Sequence, residues 1–248
     1  LEVIEGIIAP TGGEIMYNGA VKSALFREEV GIQFQQTALL NFHTVRETVR
    51  TFQSLYNRVE DLDALMHTCH LTDIGDQYND RISGGQRQRF MLALALVNKP
   101  ELVFLDEPST GLDPQSRHYL WDIVDEIKED GKTIILTTHS MEEAQYLCDT
   151  IAIMDRGKII AEGSPQALLA EHFDDVVLEL PLEDWPHDLR GFDYQVLREG
   201  QNVEISTADV NAALAALNAA GVPMQRLRIR PRNLEDLFIE LTGKELRA

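Results

Sequence analysis

The chain has 248 residues, 44% hydrophobic and 25% charged, which is the balance of a globular protein and not of a disordered one. Asp and Glu number 41 against 22 Lys and Arg, a formal net charge of −19, so nucleic-acid phosphate is repelled unless the few cations cluster, which they do not. The longest apolar run, residues 91–97, is far below the roughly 20 residues of a membrane span, and Glu2 and Glu5 stand where a secretory leader needs Lys or Arg, so neither feature is expected. Cys69 and Cys148 are too isolated for a disulfide framework or a zinc site, which fits a reducing compartment.

Residues 1–8 are apolar, and Pro10, Gly12 and Gly13 then mark a turn. Residues 14–17 followed by Asn18-Gly19 predict a strand entering a tight turn, and residues 30–34 a second strand. Leu62, Leu65, Met66 and Cys69 lie on one helix face, as do Phe90, Leu94 and Val97. Residues 102–105 form a continuous apolar run, the pattern of a strand buried on both faces of a parallel sheet. Asp113 and Pro114 open a helix whose apolar face is Leu120, Ile123, Val124 and Ile127, and Gly131 ends it. Residues 133–137 are the next strand, and Ser140 with Glu143 forms a capping-box pattern for another helix. Residues 151–154 and 158–161 read as a hairpin. The alternation of strands and helices over 102–153 predicts an α/β sheet. Beyond residue 171 the pattern shifts to short strands (176–180, 203–205, 227–229) around an Ala-rich helix, 209–220, and a last amphipathic helix with Leu234, Leu237, Phe238 and Leu241. The expected domains are 1–170, with a helical subdomain near 45–100, and a small α+β domain over 171–248. The Ala-rich helix reads as packing, and Glu183-Asp184-Trp185 as a solvated loop.

Ser83-Gly84-Gly85-Gln86 stands directly before a helix-period segment. Two glycines allow close approach of a ligand, and helix N-terminal N–H groups favour an anion such as phosphate. An ordinary Ser-capped helix after a glycine loop has the same pattern. Twenty residues on, Asp106 and Glu107 follow the apolar strand 102–105, which puts two carboxylates at the sheet edge where open α/β sheets bind ligands. A strand-end Asp can hold Mg²⁺ and an adjacent Glu can polarise a water. A solvated turn accounts for one acid better than for two. Asp113 can be simply a helix cap. His139 ends the next strand, where it could donate to a terminal phosphate or be an ordinary surface histidine. Gln35 also follows a strand and could bind a metal or a water.

The order Gln35, Ser83-Gly84-Gly85-Gln86, Asp106-Glu107, Asp113, His139 resembles the Q-loop, signature, Walker B, D-loop and switch-histidine series of the ABC-transporter ATPases. Within that family the head resembles the subunits serving ABC-2-type permeases, and the ending Asn233-Leu234-Glu235-Asp236-Leu237-Phe238 resembles their C-terminal extension. The resemblance implies a P-loop NTPase-like α/β domain with a helical subdomain. It implies ATP and Mg²⁺ as ligands, a second ATPase subunit paired head to tail, and an integral-membrane permease, with no nucleic-acid partner. The protein would sit in the cytoplasm against the inner face of the cell membrane. Ser83, Gly84, Gly85 and Gln86 would meet the γ-phosphate across the interface. Asp106 would hold Mg²⁺ through water, Glu107 would act as general base, and His139 would stabilise the γ-phosphate and the attacking water. Gln35 would sense the metal, and Asp113 would bridge the subunits.

The chain departs from the family in having no G-x-x-x-x-G-K-[ST] anywhere, and the aromatic that stacks on adenine is also absent. The Leu1 start fits loss of the N-terminal strands and the P-loop, so the expectation is a truncated protein that hydrolyses ATP negligibly as it stands. Residues 36–49, with Leu39, Leu40 and Phe42, are expected to border the permease groove or to form a local core patch. The competing functions are a soluble non-transport ABC ATPase and a non-catalytic fragment that only lends its signature loop. His67-x-x-His70 lacks the partner pair a metal site needs.

Overall fold

The computed structural model describes residues 2–22, 26–34, 39, 42–186 and 194–243. It divides into two compact units, Leu1–Leu147 and Cys148–Ala248.

In the first unit the elements are α1 (Glu2–Glu5), β1 (Met16–Tyr17), β2 (Ala20–Val21), α2 (Phe26–Glu29), β3 (Val30–Gln33), α3 (Val45–Gln53), α4 (Leu62–Thr68), α5 (Gly84–Leu96), β4 (Leu102–Asp106), α6 (Pro114–Glu129), β5 (Thr133–Thr137) and α7 (Met141–Leu147). β1 and β2 are antiparallel around Asn18 and Gly19, both at positive φ, as the Asn-Gly pair predicts. β3, β4 and β5 form a parallel sheet with β4 in the middle. Central placement explains the apolar run: Val103, Phe104 and Leu105 are buried on alternating faces. Tyr17 meets Phe26 edge to face at 5.1 Å, and Phe26 and Val30 pack with Phe104.

α5 is apolar on all sides from Phe90 to Leu96, and every one of those residues is buried. Each large side chain removed from water there contributes about 1.5–3 kcal/mol. The helix lies so close to β3 that a Cβ on Gly31 would sit 1.9 Å from the Ala95 carbonyl oxygen. Backbone on both sides leaves no cheap relaxation. Gly31→Ala is therefore expected to cost at least about 3 kcal/mol through overpacking; a melting curve within 2 °C of wild type would contradict that.

α6 begins as predicted, with Asp113 as N-cap and Pro114 in the first turn, and buries Leu120, Ile123, Val124 and Ile127. The Ser140–Glu143 box is only half made. The Glu143 amide donates to Ser140 Oγ at 3.3 Å, but Ser140 N–H goes to Thr138 Oγ1. The Glu143 carboxylate is buried and accepts instead from Trp121 Nε1 at 2.8 Å, because Trp121 of α6 is itself 1% exposed and needs a partner for its indole N–H.

The second unit holds β6 (Ile151–Asp155), β7 (Lys158–Gly163), α8 (Pro165–His172), β8 (Val176–Pro181), β9 (Val196–Glu199), β10 (Asn202–Thr207), α9 (Val210–Ala219), β11 (Arg228–Pro231) and α10 (Leu234–Thr242). β6 and β7 form the expected hairpin. The remaining strands make an antiparallel sheet in the order β11-β8-β10-β9. β9 was not evident in the residue pattern; among the described residues it is a short edge strand paired only with β10. Leu178, Leu180, Val203 and Ile205 pack with Ala213 and Leu217 of α9, so the Ala-rich helix is a core element. Trp185 corrects the solvated-loop expectation: it is 8% exposed and belongs to this core, while Glu183 and Asp184 pair with Arg226. Arg232 holds the Asp175 carboxyl bidentately at 2.9 and 2.6 Å and keeps its pKa below the usual value.

Candidate functional site

The strand tips carry the first group of candidate residues. Asp106 ends β4 and is in register with Thr137, the last residue of β5. Parallel pairing puts both C-terminal ends at one sheet edge, the side on which such sheets bind ligands. Thr137 Oγ1 donates to Asp106 Oδ1, which fixes that carboxylate. Glu107 leaves the strand at φ 47°, a left-handed conformation rare outside glycine, and is clamped there. Its N–H donates to Thr137 O at 3.1 Å, its carbonyl accepts from Thr110 N–H at 3.2 Å, and its Oε2 accepts from Thr110 Oγ1 at 3.1 Å. Its Oε1 lies 3.4 Å from His139 Nδ1. β5 ends at Thr137, so His139 lies two residues beyond the strand it was expected to end, and Glu107 one residue beyond β4; Asp106, Glu107 and His139 thus gather at the sheet edge, partly or largely exposed.

The second group gathers at two helix N-termini. Ser83 caps α5 in a full capping box: Gln86 N–H donates to Ser83 Oγ at 3.3 Å and Ser83 N–H to Gln86 Oε1 at 2.8 Å. Ser83 and Gly84 are exposed, while Gly85 and Gln86 are half-buried. Asp113 is exposed at the start of α6, where the Ser116 hydroxyl (2.6 Å) and amide (3.0 Å) both donate to its carboxylate and depress its pKa. α5 is tied to the sheet by Gln33, a buried residue at the end of β3 whose Nε2 donates to Gln88 Oε1 at 3.0 Å.

Gln35, Leu40 and residues 36–38 lie outside the described residues. Phe42 is 91% exposed, at φ 61°. The rings of His67 and His70 are 6.5 Å apart, and among the described residues no group of three or more His, Cys, Asp or Glu could hold a metal ion. Thr110, Ser116 and Thr137 escaped the sequence reading. The one signal that could have found Thr137 is that its strand and the Asp106 strand end together.

Among the described residues no helix is long and apolar enough to cross a membrane. Residues 1–110 match the family model described as ABC transporter. The chain is 37% identical over 254 residues to the Nod factor export ATP-binding protein I of Rhizobium sp. (strain N33), covering 97% of this chain and 82% of that protein. It is 35% identical to the protein of the same name from Mesorhizobium japonicum, covering 97% of this chain and 74% of the other. Among solved structures it resembles cbiO1 of Clostridium perfringens, described as part of the ABC transporter complex cbiONQ, with TM-score 0.61 and 26% identity over 68% of this chain and 73% of that one. A dimeric ATP-binding cassette in a post-hydrolysis state bound to ADP and Pi shares the fold, with TM-score 0.57 and 24% identity over 66% of this chain and 78% of that one.

Proposed function

The chain belongs to the ATP-binding subunits of ABC transporters, and we propose that it serves an ABC-2-type exporter, closing its signature loop on a nucleotide held by a second ATPase subunit. Subunits of this family bind and hydrolyse ATP and work with membrane-embedded permease components. The exporter reading is supported by relatives named for Nod factor export and by the Asn233–Phe238 ending. The observation that carries the nucleotide reading is the meeting of Glu107 and His139 at 3.4 Å beside Asp106, just past the ends of two adjacent parallel strands.

The donor set suits Mg²⁺. Asp106 offers hard carboxylate oxygen at the end of β4, and Mg²⁺ takes such oxygen together with waters and substrate phosphate oxygens. Mg²⁺ held by Asp106 would supply neutralisation of charge on the transferring phosphoryl oxygens. Glu107, oriented by Thr110, accepts a proton from the attacking water or orients it. His139 donates to the terminal phosphate. Ser83, Gly84, Gly85 and Gln86 bind the γ-phosphate of the nucleotide carried by the second subunit, and Asp113 bridges the two chains. Gln35 would sense the metal. The exposed Phe42 supports docking to a permease, and the subunit works on the cytoplasmic face of the membrane.

These 248 residues contain no P-loop, and so lack the backbone cradle and lysine that stabilise the β- and γ-phosphates. By themselves they are expected to release no phosphate above background from Mg²⁺-ATP. Joined through a flexible linker to an ABC ATP-binding subunit that has a P-loop but whose own signature serine is replaced, they should restore turnover. Robust hydrolysis by the unlinked chain, or a linked pair no faster than the impaired subunit alone, would overturn the reading.

A further inference from the structure

The two signature glycines do different things. A Cβ on Gly84 would meet nothing within 4 Å, so that position is open. A Cβ on Gly85 would lie 2.9 Å from Ser116 Oγ and 3.1 Å from Ser116 Cβ. The hydroxyl cannot swing aside without giving up Asp113 Oδ2 at 2.6 Å, and rotation of that side chain does not move its Cβ. The start of α5 therefore packs against a residue that holds the Asp113 carboxylate through two bonds, at the start of α6.

We propose that Ser116 is a positioning residue that joins the Ser83–Gln86 turn and the Asp113 turn into one surface presented to the second subunit. The contact needs glycine at residue 85 because a side chain there would push α5 and α6 apart, whereas glycine at 84 leaves room for the ligand. Both turns then arrive at the partner's nucleotide in fixed register. The inference rests on the reading that both turns face that nucleotide, but the contact between them can be measured without it.

Amide hydrogen exchange on the 248-residue chain decides the contact. Gly85→Ala is expected to speed exchange about tenfold in α5's first turn and also at Ser116 and Arg117, the scale of a weakened helix cap. Adding Ser116→Gly should return α5's first turn to the wild-type rate, because the obstructing atoms are gone. Faster exchange confined to α5, with Ser116 and Arg117 unchanged, would overturn the proposal. In the linked pair, Ser116→Ala, which loses the hydroxyl bond to Asp113 but keeps the Cβ against Gly85, should lower kcat about tenfold with KM for ATP little changed, and adding Ser116→Gly to Gly85→Ala should not restore turnover, because the residue that joins the two turns is gone. Exchange coupling with turnover unaffected by Ser116→Ala, or restored to Gly85→Ala by Ser116→Gly, would reduce Ser116 to a structural contact and overturn its positioning role. A wild-type linked pair that is inactive would refute the functional reading, while the exchange result would still rule on Ser116.

Discussion

Ser83→Arg in the linked pair is expected to lower ATP turnover at least about 100-fold, the loss typical of removing one donor to a developing phosphate or oxyanion charge. Ser83 is exposed at the tip of α5, so the arginine has room in the unpaired chain and obstructs only when two subunits close. The folding cost is small by comparison. The serine is an N-cap, and losing a cap costs about 1 kcal/mol, or roughly 2–4 °C of melting temperature in a chain of this length. Phosphate release and thermal melting, measured on the same preparation, separate the two effects. A Ser83→Arg pair keeping a tenth or more of its turnover would show that this loop does not touch the nucleotide.

The second large effect concerns the acid at the strand tip. In the chain extended upstream by a strand and P-loop from another family member, Glu107→Gln should reduce kcat by about 10²–10⁴, the usual contribution of a general base, with KM within threefold. Glutamine matches glutamate in shape and can still accept from Thr110 Oγ1, so the turn at 107–110 survives. What it cannot do is take a proton. A fall of less than tenfold would move the base elsewhere and leave Glu107 a structural residue of its left-handed turn.

Much of this architecture is legible in the residues because it depends on local rules. The run 102–105 followed by Asp106 and Glu107 announces a central strand with acids at its tip, and β4 is one. Asp113-Pro114 announces a helix start, and Ser83 with Gln86 announces a capping box. What stayed hidden depends on pairing between distant segments. Nothing near Asp106 reveals Thr137, because their contact follows from the register of β4 against β5. Ser116 looks like an ordinary third residue of a helix until α5 is laid against α6. Glu143 and Ser140 have the spacing of a box, but the buried indole of Trp121 competes for the carboxylate and takes it. Trp185 follows two acids and so reads as surface; the acids pair with Arg226, Glu183 exposed and Asp184 largely covered, while the ring turns in.

We expect this chain's Ser83–Gln86 turn to lie against the terminal phosphate of a nucleotide bound by another subunit. An ATP analogue carrying a photoreactive group on its γ-phosphate, bound to the P-loop of the linked pair and irradiated, reports which residues lie beside that phosphate. Label recovered by mass spectrometry on residues 83–90 of this chain, and lost in Ser83→Arg, is the predicted result. Label confined to the P-loop-bearing subunit, with turnover present, would contradict it.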